Sequence, residues 1–240
     1  NVWFYSPGGI LVGANSVINV GSLVLTSRDI DTTGGLFGSA GEIRFRDPPL
    51  AGAGNSVVRI APGAQINGQT GNSYIALVAP RVEQAGFINA NGSVALVAAE
   101  QADVTVHQGL FDINILVGSD DPNGIVHTGY TGGTPVNSPL YSQRVYMVAV
   151  PKNQLMTMLL SGNIGFDPAS AVTPGPNGSI ILSAGRNILN GTVDATNNGV
   201  GGTGARIQIA DTIFYNDVLG NATDSITARP VNACAPFCVP

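Results

Sequence analysis

A chain of 240 residues with 10% charged residues, 32 glycines and a formal net charge of −5 is not a disordered polyelectrolyte, because its 44% hydrophobic content can fill a core. The acidic balance excludes nucleic acid as a partner, which needs a basic surface to displace phosphate counterions. Glycine without a three-residue period excludes collagen, and no apolar run reaches the roughly 18 residues of a membrane-spanning helix.

Taken in chain order, strand signals recur and helical periodicity is scarce. Val17–Val20 and Ser22–Leu25 are short apolar runs bounded by Gly21 and Ser27. Val57–Pro62, Tyr74–Pro80, Ser93–Ala99, Val145–Val150, Ser179–Gly185 and Ala205–Ala210 follow, each flanked by turn residues. Several read as copies. SVALVAA at Ser93 follows YIALVAP at Tyr74 by 19 residues, SVVRIAP at Ser56 precedes the latter by 18, and SIILSAG at Ser179 and ARIQIAD at Ala205 stand 26 apart. Between them Gln65–Gly68, Gly86–Gly92 and Asn190–Ala195 form small strands closed by Asn, Asp or Gly.

A period near 20 residues with Gly and Asn at the corners is a solenoid signature. A single coil cannot bury its own apolar face, whereas stacked coils give each strand a partner above and below. A β-sandwich would carry more two-residue hairpin turns than are visible here. The predicted fold is therefore all-β, a right-handed parallel β-helix with a few projecting loops. It would have about ten coils at the usual repeat length. Residues 1–106 are read as regular coils, 107–178 as coils with loop insertions, 179–228 as further coils and 229–240 as a tail. Lys152–Leu160 could place Leu155, Met158 and Leu159 on one helical face, but one more strand is the preferred reading. The proline-rich stretch 165–178 reads as a projecting loop, and Trp3, Phe4 and Tyr5 as core of the first coil.

Chemistry-bearing residues are few. Asp120 and Asp121 precede Pro122-Asn123-Gly124, which makes a solvated turn a better reading than a carboxylate pair. His107 and His127 have no Ser or Cys context that suggests a triad. Asp194, Asn197, Asn198 and Asp211 carry hard oxygen donors suited to Ca²⁺, but without the repeat of a calcium-binding β-roll they read as turns. Gly201–Gly204 is a corner, since no helix or Lys follows it. Asn91, Asn177, Asn190 and Asn221 begin glycosylation sequons that coincide with corner sequences. Cys234 and Cys238 are spaced to close a small disulfide loop and are too few for a zinc site. The expectation is a protein with no catalytic residues, no cofactor and no metal.

Ser6-Pro-Gly-Gly-Ile-Leu-Val-Gly13, followed by Ser16-Val-Ile-Asn-Val-Gly-Ser-Leu-Val-Leu-Thr-Ser27 and Asp29-Ile-Asp31, resembles the secretion domain of filamentous-haemagglutinin-type exoproteins. Tyr74–Val82, Gly86–Ala90 and Gly92–Glu100 extend the resemblance, which covers residues 1–110 best; Val145–Gln154 is also similar to large exoproteins of this kind. The family has Asn-Pro-Asn where this chain has Ser6-Pro7-Gly8, and Gly9 follows. The resemblance implies a parallel β-helix, Sec export, and passage through an outer-membrane two-partner-secretion transporter to the surface of a Gram-negative bacterium. It implies adhesion or aggregation through glycans or proteins of a host or neighbouring cell, and that the chain is an excerpt or processed piece of a longer exoprotein. A second expectation is a structural subunit that stacks end to end into an extracellular filament, a homopolymer.

Overall fold

The computed structural model describes residues 1–48, 55–133, 143–166, 179–194, 205–214, 216–222 and 225–230. These residues are all-β with parallel sheets and include no helix. The chain makes successive passes. The first lays down β1 (Val2–Tyr5), β2 (Ile10–Val12) and β3 (Val17–Val20). The second lays down β4 (Leu23–Thr26), leaves through β5 (Asp29–Ile30) and β6 (Ile43–Arg46), and returns as β7 (Val57–Ile60) and β8 (Gln65–Gly68). The third is β9 (Tyr74–Ala79), β10 (Arg81–Gln84) and β11 (Phe87–Ala90). In the fourth, β12 (Ser93–Ala98) gives way to β13 (Gln101–His107) and β14 (Leu110–Val117), then β15 (Ile125–His127) and β16 (Tyr130–Gly133). The fifth is β17 (Arg144–Ala149) and one long strand, β18 (Met156–Phe166). The sixth is β19 (Ser179–Ala184), the short pair β20 (Ile188–Leu189) and β21 (Thr192–Val193), and β22 (Ala205–Phe214). Strands β23 (Asn216–Ala222) and β24 (Ser225–Pro230) follow as an antiparallel pair.

Three sheets result. In the first, β1, β4, β9, β12, β17 and β19 stack in parallel, and β24 then pairs antiparallel on β19. The second holds the remaining in-pass strands, all parallel. The third is antiparallel, built from the three excursions in the order β21-β20-β14-β13-β6-β5.

The apolar runs of the first sheet follow from this layering. Successive side chains point to opposite faces of a strand. Leu25, Leu77, Leu96, Met147 and Leu182 form one register row facing the second sheet. Val24, Ala76, Ala95, Tyr146 and Ile181 form the opposite row, facing Phe45, Val104, Phe111 and Ile113 of the third sheet. Both faces are dry, so β9 and β12 are apolar apart from Ser93 at the start of β12. In the second sheet one face meets solvent, and β10 and β11 alternate.

The 19-residue copy is a true register: Tyr74 pairs with Ser93 and Ala79 with Ala98. Other expectations are corrected. The 18-residue offset is not a register, because Val57–Ile60 lies in the second sheet between β2 and β10. Ser179 and Ala205 also open strands of different sheets. Asn190–Gly191 is a two-residue hairpin turn between β20 and β21, not a coil corner. The described residues make six passes rather than about ten, because the excursions lengthen alternate passes. Lys152–Leu160 enters strand β18, as preferred, with Met156, Met158 and Leu160 in the core and Leu155 78% exposed. Trp3 packs on the outer core, but Phe4 and Tyr5 are exposed, since β1 has a neighbour on one side only.

Candidate functional site

Two register rows inside the space between the first and second sheets carry an anomaly. One runs Val12, Ile60, Gln84, His127, Leu160. The next runs Ile18, Ile66, Ile88, Thr131, Ile164. Three polar residues on two adjacent passes occupy positions that the other passes fill with Val, Ile or Leu. Gln84, His127 and Thr131 are each fully buried. An unpaired polar group there would cost about 1–3 kcal/mol, so their partners decide the arrangement.

The partners fix the orientation of the carboxamide and the tautomer of the imidazole. Gln84 Oε1 accepts from the Gly86 N–H at 2.8 Å. Gln84 Nε2 donates to the Tyr130 carbonyl at 2.7 Å, to Thr131 Oγ1 at 3.1 Å and to the Gly86 carbonyl at 3.3 Å. His127 Nδ1 lies 2.7 Å from the Ser161 carbonyl, which can only accept, so Nδ1 carries the proton. Nε2 is then an acceptor and takes the Thr131 hydroxyl proton at 2.9 Å. Burial pushes His127 down to about 4, and the Ser161 carbonyl opposes the shift without cancelling it. The imidazole is neutral at pH 7, with its Nε2 lone pair on a hydroxyl that also touches a carboxamide. A hydroxyl, an imidazole and a carboxamide are thus brought together where the sequence offered His127 without a visible partner. The signal that could have found it is the interruption of apolar rows, which requires the register.

The other sequence-predicted residues are held in structural roles. Ser6, Pro7, Gly8 and Gly9 form the turn between β1 and β2, closed by Gly9 N–H on the Ser6 carbonyl at 3.0 Å. Gly9 has φ +104°, and a Cβ there would lie 2.6 Å from the Val57 carbonyl oxygen. Asp120 and Asp121 diverge. Asp120 accepts from Asn153 N–H and Nδ2 and sits 3.7 Å from Lys152 Nζ. Asp121 caps the Asn123 N–H at 2.8 Å and faces Arg81 at 3.7 Å. Lys152 itself bridges to the buried Glu100 at 2.7 Å. His107 is at the exposed tip of β13, 3.0 Å from Asp112. Asn91 donates to the Gln69 carbonyl at 3.3 Å. The Asp194 N–H donates to the Asn187 carbonyl at 2.9 Å. Asn221 lies in β23. Asn177, Asn197, Asn198, Gly201–Gly204, Cys234, Cys238 and most of the stretch 165–178 lie outside the described residues, as does the Asp211 side chain.

On the surface, Asn19, Asn67 and Asn89 stack in register on the outer face of β3, β8 and β11, and Asn67 Nδ2 donates to Asn19 Oδ1 at 2.9 Å. Phe87 and Tyr130 stack beside them with ring centroids 4.3 Å apart. Near the tip of β13, Phe37, Asn72, Tyr74 and Gln108 help line a cavity of about 290 Å³. Among the described residues no group of three His, Cys, Asp or Glu could hold a metal. No family model matches this chain, and no curated protein matches it either.

Proposed function

We propose that this chain is a right-handed parallel β-helix, a section of a secreted, surface-displayed exoprotein of the filamentous-haemagglutinin type. It acts by binding and not by turnover. The support for the β-helix is the order of strands: each pass visits the first sheet and then the second, and returns one strand further along both. Right-handedness follows from the strong preference of parallel crossover connections. The observation that carries the function is the outer face of β3, β8 and β11, where Asn19, Asn67 and Asn89 repeat over three passes beside the stacked Phe87–Tyr130 pair. Such a face presents a row of amides next to aromatic surface to a cell-surface glycan or protein. Export in an extended state through an outer-membrane transporter suits a fold whose passes can be added one after another.

The test is substitution of Asn19, Asn67, Asn89, Phe87 and Tyr130 by Ala in the exoprotein of the producing cell, with adhesion and autoaggregation measured beside surface display. Lost adhesion with display retained is the expected result. Unchanged adhesion and aggregation in the displayed variant overturns the reading. The runner-up, an end-to-end filament, draws on the unpaired outer edges of β1, β2 and β3 among the described residues. Electron microscopy of material sheared from those cells separates the two, since a polymer repeats at the length of one chain.

A further inference from the structure

We propose that Thr131 and Gln84 are the two halves of a self-generated ester cross-link between adjacent passes, with His127 as the internal base. Gln84 is on β10 and Thr131 on β16, so the bond would join the third and fourth passes through the core. Three observations converge on it. The nucleophile and base are in contact: Thr131 Oγ1 to His127 Nε2 is 2.9 Å. The Gln84 carboxamide nitrogen, which is bonded to the acyl carbon, donates to the same Oγ1 at 3.1 Å. The Gly86 N–H already sits on Gln84 Oε1 at 2.8 Å, where an oxyanion would develop.

The step balances without a co-reactant. His127 Nε2 takes the Thr131 hydroxyl proton as Oγ1 attacks the Gln84 carbonyl carbon, and the C=O electron pair moves onto Oε1. The tetrahedral intermediate collapses, the C–N bond breaks, and the proton on Nε2 passes to the departing nitrogen. A hydroxyl and a primary amide become an ester and ammonia. Nothing is oxidised or reduced. The Ser161 carbonyl on Nδ1–H holds the imidazole in the tautomer that this requires. The low basicity of a buried imidazole slows the first transfer, but it leaves Nε2 unprotonated at pH 7. Burial supplies the direction. Ammonia is small enough to escape, and the dry site denies the ester the water that would hydrolyse it.

Burial also explains why polar residues stand in these rows. Apolar side chains would hold the passes together without specific chemistry, whereas a covalent tie resists forces that pull passes apart. The cross-link stands whether or not the protein is an adhesin.

The experiment is intact mass spectrometry of the purified full chain after incubation at pH 8, with tandem sequencing of the peptide that contains Gln84 and Thr131. The expected result is a mass lower by one ammonia in nearly all molecules and a single branched peptide joining the two residues. Thr131→Val and His127→Phe should keep the full sequence mass, and Thr131→Ser, which retains the hydroxyl, should still form the link. Asn–Gly pairs such as Asn190–Gly191 can also lose ammonia, by closing a succinimide. A loss that maps to such a pair, or an unchanged mass in the folded wild type, overturns the assignment. The wild-type and Thr131→Ser results decide the matter even where Thr131→Val fails to fold.

Discussion

At the scale of single residues, His127 gives the molecule a pH dependence whose sign follows from its burial. Its folded-state value is about 4 against an ordinary 6.5, and neither hydrogen-bond partner is charged. The unfolded chain therefore binds the proton first. The contribution is fully present above pH 6.5, declines as the pH falls toward 4, and is flat below that. A displacement of that size corresponds to about 3 kcal/mol at most. Urea midpoints measured from pH 7 to pH 4 should fall, and the slope over this window should diminish in His127→Gln. The Ser161 bond is kept in either covalent state of Thr131, so the sign does not depend on the cross-link. The turn at Ser6–Gly9 offers a matched pair of substitutions. Gly9→Ala meets both a left-handed φ and the Val57 carbonyl, and should destabilise by roughly 2 kcal/mol. A Cβ on Gly8 meets nothing within 4 Å, so Gly8→Ala should fall within about 0.5 kcal/mol of wild type. The glycine that resembles a secretion motif thus has a structural reason to be there.

At the scale of elements, legibility tracked how much of a strand's environment is repeated. The inner first-sheet strands were readable because they are dry on both faces and aligned with their neighbours, so Tyr74–Ala79 and Ser93–Ala98 look like copies. The third sheet was not readable, because its strands pair antiparallel through excursions of unequal length. Its longest hairpin turns on Gln108–Gly109, with Gln108 at φ +48°, in place of the Asn-Gly or Asp-Gly that announces such turns. Gln108→Asn should therefore stabilise the protein by several tenths of a kcal/mol, up to about 1, in thermal or urea unfolding. The polar node was illegible for a related reason. Gln84 is 47 residues from Thr131 while His127 is only four from it, and only the register reveals that each displaces an apolar residue. Phe111 measures what the third sheet contributes to the fold. It is fully buried against Tyr74 and Tyr146, so Phe111→Ala should cost about 3–5 kcal/mol. A loss of under 1 kcal/mol would mean that the sheet is an appendage and not a wall of the core.

At the scale of the whole molecule, the two ends of the first sheet differ, and the difference bears on how copies can associate. At one end β1 has a free edge, as do β2 and β3 in the second sheet among the described residues. Beside these edges Phe4, Tyr5, Leu11 and Val17 are exposed, and a cavity of about 600 Å³ opens between them. Free edges next to apolar surface invite pairing. At the other end β24 lies antiparallel on β19, and β23 lies outside it, so the parallel order stops there. Among the described residues β24 therefore occupies the edge of β19 that a parallel strand of a second copy would need. First-pass edges can instead pair with each other around a twofold axis, an arrangement that closes at two copies, whereas head-to-tail stacking would grow without limit. The isolated chain should therefore sediment as a monomer at low concentration and approach a dimer as concentration rises. Phe4→Lys, which places a charge at the free edge, should hold it monomeric. Growth past the dimer into rods would restore the filament reading, because it would require the β23–β24 pair to give way to the first pass of another copy.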